Sequence, residues 1–278
     1  MDFKTILVFV DGSKQAPDVL KVAFGLAKRS KGHVIGMHVR PRFQPPAFTD
    51  GTYVMDTLYQ AHANNVKAEE AKAAAAFRKE AGETRAVEWR VIEGFVDDEL
   101  AHAARYADLV VIGQADPDMP ALGVPSDLAE QVALHTERPV LVVPHVGATR
   151  EPGKTVLLAW NGSREASRAA TAALPLLAEA DKVVVLSVDS KKTKAGDGHD
   201  HDADVAQWLS RHGVKVTVQH DVAGNSDIGS VILSRAADHD ADLIVMGVYG
   251  HSRVREMVMG GVSRTLLDNM TAPLLIAH

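Results

Sequence analysis

Near the carboxy-terminal end, Gly247, Gly250 and Gly260 stand in the spacing Gly-x2-Gly-x9-Gly, followed at once by Gly261, Val262 and Ser263. Residues without a Cβ let the backbone approach an anion closely and adopt positive φ angles that other residues resist. A helix opening at Gly260-Gly261 would direct its free amide N–H groups and the positive end of its dipole at the same anion, with the Ser263 hydroxyl as a further donor. The chemistry this suits is phosphate binding. The plainer alternative is that the glycines only shape a turn and start a helix.

Other side chains are weaker candidates. His199, Asp200, His201, Asp202 and Asp204 carry groups competent to bind a metal. They sit in a polar connection beside Gly196 and Gly198, which reads as a solvated loop with at most adventitious metal binding. Arg253 and Arg255, inside the nine-residue spacer, could clamp phosphates or face water while Met257 and Met259 pack. Ser13 and Ser163 read as helix caps. The sequence holds no Gly-x-Ser-x-Gly elbow and no Walker lysine, and no histidine has the context of a general base. Nothing in it argues for fast catalysis.

The elements that must position these residues follow from an internal repeat, which governs how every other segment is read. Residues 4–16 return as residues 154–166, an offset of 150. Residues 107–113 and 138–143 return as 241–247 and 272–277, an offset of 134. The first copy therefore carries extra residues between its blocks. The seam falls at residues 144–153, where Gly147, Pro152 and Gly153 supply linker chemistry, and gives domains at residues 1–146 and 153–278.

In the second copy, short apolar runs at residues 154–160, 182–189, 214–222, 241–246 and 273–278 read as strands. Residues 164–180, a short segment ending near His212-Gly213, a segment from the cap at Asn225, Ser226 and Asp227 to His239, and residues 262–270 read as helices. Residues 190–200 form a polar stretch. Alternation of buried strands with crossover-length helices implies an α/β domain with a parallel sheet and helices on both faces. The first copy repeats this order. It adds a structureless excursion at residues 41–52, rich in proline, and a long helix from about residue 54 to 81.

Composition excludes several function classes. With 278 residues, 46% apolar and 24% charged, the chain is globular and large enough for two cores that need no staple. The absence of cysteine excludes disulfides, cysteine metal sites and thiol catalysis. A formal charge of −6 disfavours nucleic acid as a partner. No apolar run approaches the roughly 18 residues of a membrane span. Met1-Asp2-Phe3-Lys4 leads straight into an apolar alternation rather than a signal core, so a cytoplasmic protein is expected.

The turn after the first strand, the penultimate strand ending in glycine and the Pro-Val-Leu-Val-Val type of final strand resemble the universal stress protein family in both copies, and the glycine spacing of the second copy resembles that family's phosphate-binding motif. The resemblance implies two Rossmann-like, adenine nucleotide alpha hydrolase-like domains, each a five-stranded parallel sheet in the order 3-2-1-4-5. It implies ATP, with Mg2+, as the ligand of the second. Asn161 falls where ATP-binding members carry an aspartate near adenine and ribose, and Val188 where a backbone group meets the adenine. Gly247, Gly250 and Gly260 match the motif glycines, Ser263 matches a phosphate-contacting hydroxyl, and Gly261 replaces a Ser or Thr. Losing a charge-assisted hydrogen bond at Asn161 costs about 1–3 kcal/mol.

The first copy keeps Asp11, Val39 and Gly113 but places Asp116 at the Gly250 position and Ser126-Asp127 at Gly260-Gly261. Those carboxylates repel phosphate. This half is expected not to hold ATP in the family manner, and to serve packing, sensing or a different ligand. The implied function is a nucleotide-binding stress-response or regulatory protein. A nucleotide-free interaction scaffold and a slow ATPase or autophosphorylating protein, with Ser263 as phosphoacceptor, stay open. Pairing through last strands implies an intramolecular pseudo-dimer through residues 140–143 and 274–277, and a homodimer of chains.

Overall fold

A continuous apolar run has no solvent-facing side, so it is stable as a strand only when both sheet faces are covered. The computed structural model, which describes residues 2–44, 52–146, 151–189, 201–248 and 260–278, covers them in this way. In β1 (Thr5–Phe9), Ile6 and Val8 enter the core on one face while Leu7 and Phe9 enter the core on the other.

The first half continues as α1 (Ala16–Ser30), β2 (His33–Pro41), α2 (Thr52–Ala81), β3 (Val87–Gly94), α3 (Val96–Ala104), β4 (Leu109–Gly113), α4 (Leu128–Thr136) and β5 (Val140–Val143). The second half repeats it as β6 (Thr155–Trp160), α5 (Arg164–Glu179), β7 (Lys182–Asp189), α6 (His201–Arg211), β8 (Val216–Val222), α7 (Ile228–Asp238), β9 (Leu243–Gly247), α8 (Gly261–Asn269) and β10 (Leu274–Ala277).

The strand order is β3-β2-β1-β4-β5-β10-β9-β6-β7-β8. Each half is thus a parallel sheet in the order 3-2-1-4-5, flanked by helices. The last strands of the two halves meet antiparallel, with Leu141 opposite Leu275, so the ten strands form one sheet. One core layer holds residues of α1, α2, α5 and α6, and the opposite layer holds residues of α3, α4, α7 and α8. Among the described residues no helix is long and apolar enough to cross a membrane.

The repeated Ala-Asp-Leu at the start of β4 and β9 has a structural cause. Both Lys4 and Thr5 donate their backbone N–H to Asp108 at 2.8 Å. Buried Asp242 accepts from the backbone N–H groups of Gly153, Lys154 and Thr155 at 2.7–3.2 Å. A carboxylate accepting several amides closes off the start of the central strand in each half.

Several expectations need correction. Pro41 belongs to β2 rather than to the excursion, at the strand's last position opposite Gly94, where a missing N–H is tolerated. The long helix begins at Thr52, two residues early, and residues 45–51 lie outside the described ones. Ser13 does not cap α1. The N-cap is Gln15, without a side-chain cap bond, and the Ser13 hydroxyl donates to Asp11 at 2.5 Å. Ser163 does cap α5, accepting from Ala166 N–H at 3.1 Å. Asp227 caps α7.

Candidate functional site

In open parallel sheets, ligands bind beyond the carboxyl ends of the strands, where the winding reverses. In the second half this point lies between the ends of β6 and β9. After β6, the Asn161 carbonyl oxygen accepts from the Ser163 backbone N–H at 3.1 Å. Its amide nitrogen is the group left to meet a ligand. Half-buried Val188 is the penultimate residue of β7.

Gly247 ends β9 against the start of α5. An added Cβ would lie 2.4 Å from the Ala166 nitrogen and 2.7 Å from the Glu165 carbonyl oxygen. Glycine here is what lets the helix sit on the strand, a packing reason that stands whatever the loop binds. Gly260 is the N-cap of α8 with extended backbone (φ −63°, ψ 146°), and it brings no capping side chain. Around Gly261 a Cβ would meet nothing within 4 Å among the described residues, and no acidic residue stands in the first turn. Val262 is half-buried, and Ser263, at 3% exposure, lies on the inward side of the helix. Gly250, Arg253, Arg255, Met257 and Met259 lie outside the described residues.

Glu165, buried in the first turn of α5, is a site neighbour that the sequence reading missed. Burial pushes its carboxyl up. Hydrogen bonds from Arg164, from its own backbone N–H and from Ser163 outweigh this and leave it lowered.

Only part of the metal-ligand tract falls among the described residues. His199 and Asp200 lie outside the described residues, while Asp202 accepts from the Ser187 hydroxyl at 2.5 Å. Among the described residues no three His, Asp or Glu side chains group to hold a metal.

In the first half, the equivalent place is a cavity of about 500 Å³. Its floor is Phe9, Ile112 and Val142 at the strand ends, and its roof runs from Ala115 to Val124. The roof closes on β2, where Gly123 lies so near Pro41 that a Cβ would come within 2.3 Å of it. Asp11, Gly113, Asp116, Ser126 and Asp127 all line it. The structure therefore gathers residues that the sequence separates by more than a hundred positions. It adds Glu130 from α4 and, from the other half, Leu267 and Asp268 of α8. Buried Gln114 fixes that seam, donating to the Leu267 carbonyl at 2.7 Å and accepting from the His145 backbone N–H at 3.0 Å. Burial, and then the neighbouring Asp127, push the Glu130 carboxyl above its ordinary range against the opposing pull of Arg264.

A doubly wound sheet in two copies, each with its loops beyond the strand ends, defines a class of two-domain α/β proteins. The universal stress protein family model matches residues 2–144 and again residues 153–278, and the chain belongs to that family. A universal stress protein from Archaeoglobus fulgidus DSM 4304 is similar in fold, with 18% identity, 98% of this chain and 95% of that one covered, and a TM-score of 0.68. A putative universal stress protein from Pseudomonas aeruginosa UCBPP-PA14 is 16% identical, with 99% and 93% covered and a TM-score of 0.61. A universal stress protein solved in complex with cAMP is 22% identical over 51% of this chain and 98% of that one, with a TM-score of 0.33. No curated protein sequence matches the chain.

Proposed function

We propose that the protein is a nucleotide-responsive regulatory protein of the stress-response type, in which the second half, residues 153–278, holds ATP. The observation that carries this reading is the start of α8, where, among the described residues, two glycines leave first-turn amides with no capping side chain and no acidic residue in that turn. Such a helix end supplies donors and a positive dipole to phosphate. The triphosphate would lie against Gly260, Gly261, Val262 and Ser263, with Gly250 assigned to the same site by the glycine spacing alone, and the adenine and ribose between Asn161 and the Val188 backbone. Mg2+ would travel on the phosphates, since Asn161 brings no carboxylate where the first half has Asp11.

Ser263, at 3% exposure, enters this reading as a hydroxyl donor to phosphate. Residues 1–146 and 153–278 act in this reading as a pseudo-dimer joined through β5 and β10, with the first half diverged from nucleotide.

The substitution Gly261→Glu tests the site, because a Cβ there meets nothing within 4 Å among the described residues and an acidic residue suits a helix start. Calorimetric titration of the full chain with ATP and Mg2+ should show binding that this substitution weakens at least about tenfold, or about 1.4 kcal/mol. An unchanged affinity, or none in the parent protein, would remove the reading in favour of a nucleotide-free scaffold.

A further inference from the structure

The cavity of the first half is partly open to solvent, with Met119 of its lining 55% exposed, and it is charged in a way that nucleotide binding does not explain. Its described lining holds five carboxylates, Asp11, Asp116, Asp127, Glu130 and Asp268, and no lysine, arginine or histidine. Part of that charge is already engaged. Asp11 accepts from Ser13, Asp116 from the backbone N–H groups of Asp118 and Met119, and Asp127 from the Gln131 side chain. Each of these donors is neutral, so the negative charge is held in place rather than cancelled. Arg264 stands beside the wall, with Nε 3.9 Å from Asp268 and 79% of the side chain exposed to water.

The remaining surface is apolar. Phe9, Ile112 and Val142 form the floor and Met119, Pro120 and Val124 the roof, around a volume of about 500 Å³. That volume lies within the range of small-molecule sites, in which an apolar body is buried and a few polar groups fix orientation. Here every charged group that could do the fixing is negative. A carboxylate wall of which Asp11, Asp116 and Glu130 are partly buried, and Asp127 and Asp268 exposed, favours a positive group over a neutral one and disfavours an anion.

We propose that this cavity is a binding site for an organic ammonium compound, with its apolar body between floor and roof and its cationic group against Asp127 and Glu130. The site includes a wall from the other half, through Leu267 and Asp268 at the end of α8. The same helix begins at the glycines assigned to phosphate. The proposal does not depend on that assignment, because the cavity and its charge belong to the first half.

Titration of the full chain with tryptamine, 3-ethylindole and indole-3-propionate separates charge from shape, since the three differ mainly in the sign of one group. Tryptamine should bind about tenfold or more tighter than either of the others. The double substitution Asp127→Asn with Glu130→Gln should abolish that preference while near-UV circular dichroism stays unchanged, and Glu130→Lys should transfer it to indole-3-propionate. Gly261→Glu should leave tryptamine binding as it was, which keeps this test apart from that of ATP. Equal affinity for the three compounds, a preference for the anion in the parent protein, tryptamine binding indifferent to the double substitution, or no tryptamine binding would each overturn the proposal.

Discussion

The helices α4 and α8 are the same element in two copies, and they differ at their first turns. α8 starts on Gly260 and Gly261 with no acidic residue in its first turn, while α4 starts on Asp127 with Glu130 a turn later. A helix start carries partial positive charge that a negative group stabilises. In the first half the protein supplies that negative group from its own chain. In the second it leaves the place to something else. The contrast teaches that one fold accepts an acidic or a glycine start for the same helix, because strand order and packing do not depend on the loop residues that line the end of the sheet.

The strongest way to break the comparison is at the strand ends. Gly247→Ala would drive a Cβ into the backbone of α5, whereas Gly113→Ala meets chiefly the flexible side chain of Gln15, at 2.8 Å. The first should cost about 3 kcal/mol or more and the second about 1 kcal/mol, read from urea unfolding. Equal costs would show that the two glycines do the same job. Next in size are the strand-closing aspartates. Asp242→Ala strands three amides in a buried place and Asp108→Ala strands two in a more exposed one. Losses of about 2–4 and about 1–2 kcal/mol are expected, again by denaturant unfolding.

The smallest effect concerns pH. The Glu130 carboxyl, raised by burial and by Asp127, is harder to ionise folded than unfolded. Its contribution is therefore neutral in acid and becomes unfavourable as pH rises from the unfolded value of about 4.3 through the folded one. Glu130→Gln should leave stability unchanged near pH 3 and raise it at pH 7, by less than about 1 kcal/mol given the half-exposed setting. Melting temperatures at the two pH values check this. A larger gain in acid would contradict the sign.

Much of this architecture is legible in the sequence because the repeat is. Strand runs such as Leu109–Gly113 are apolar at every position, which only a doubly covered parallel sheet explains. The glycines also announce themselves, although the sequence cannot separate Gly247, fixed by its approach to α5, from Gly261, which touches nothing. What the sequence hides is contact across the seam. Gln114 and Leu267 are 153 positions apart, and no local pattern marks either. Ser13 fails as a cap because the adjacent Asp11 competes for its hydroxyl, a side-chain preference that composition does not rank. Pro41 misleads for the opposite reason, since proline signals a break and the strand simply ends on it.

The central claim is that phosphate is held at the start of α8 and not at the start of α4. Amide hydrogen exchange of the full chain, with and without ATP and Mg2+, reads both helix starts in one experiment. The account predicts slowed exchange across residues 261–264 with residues 126–130 unchanged. Slowing at 126–130, or at neither helix, would contradict it.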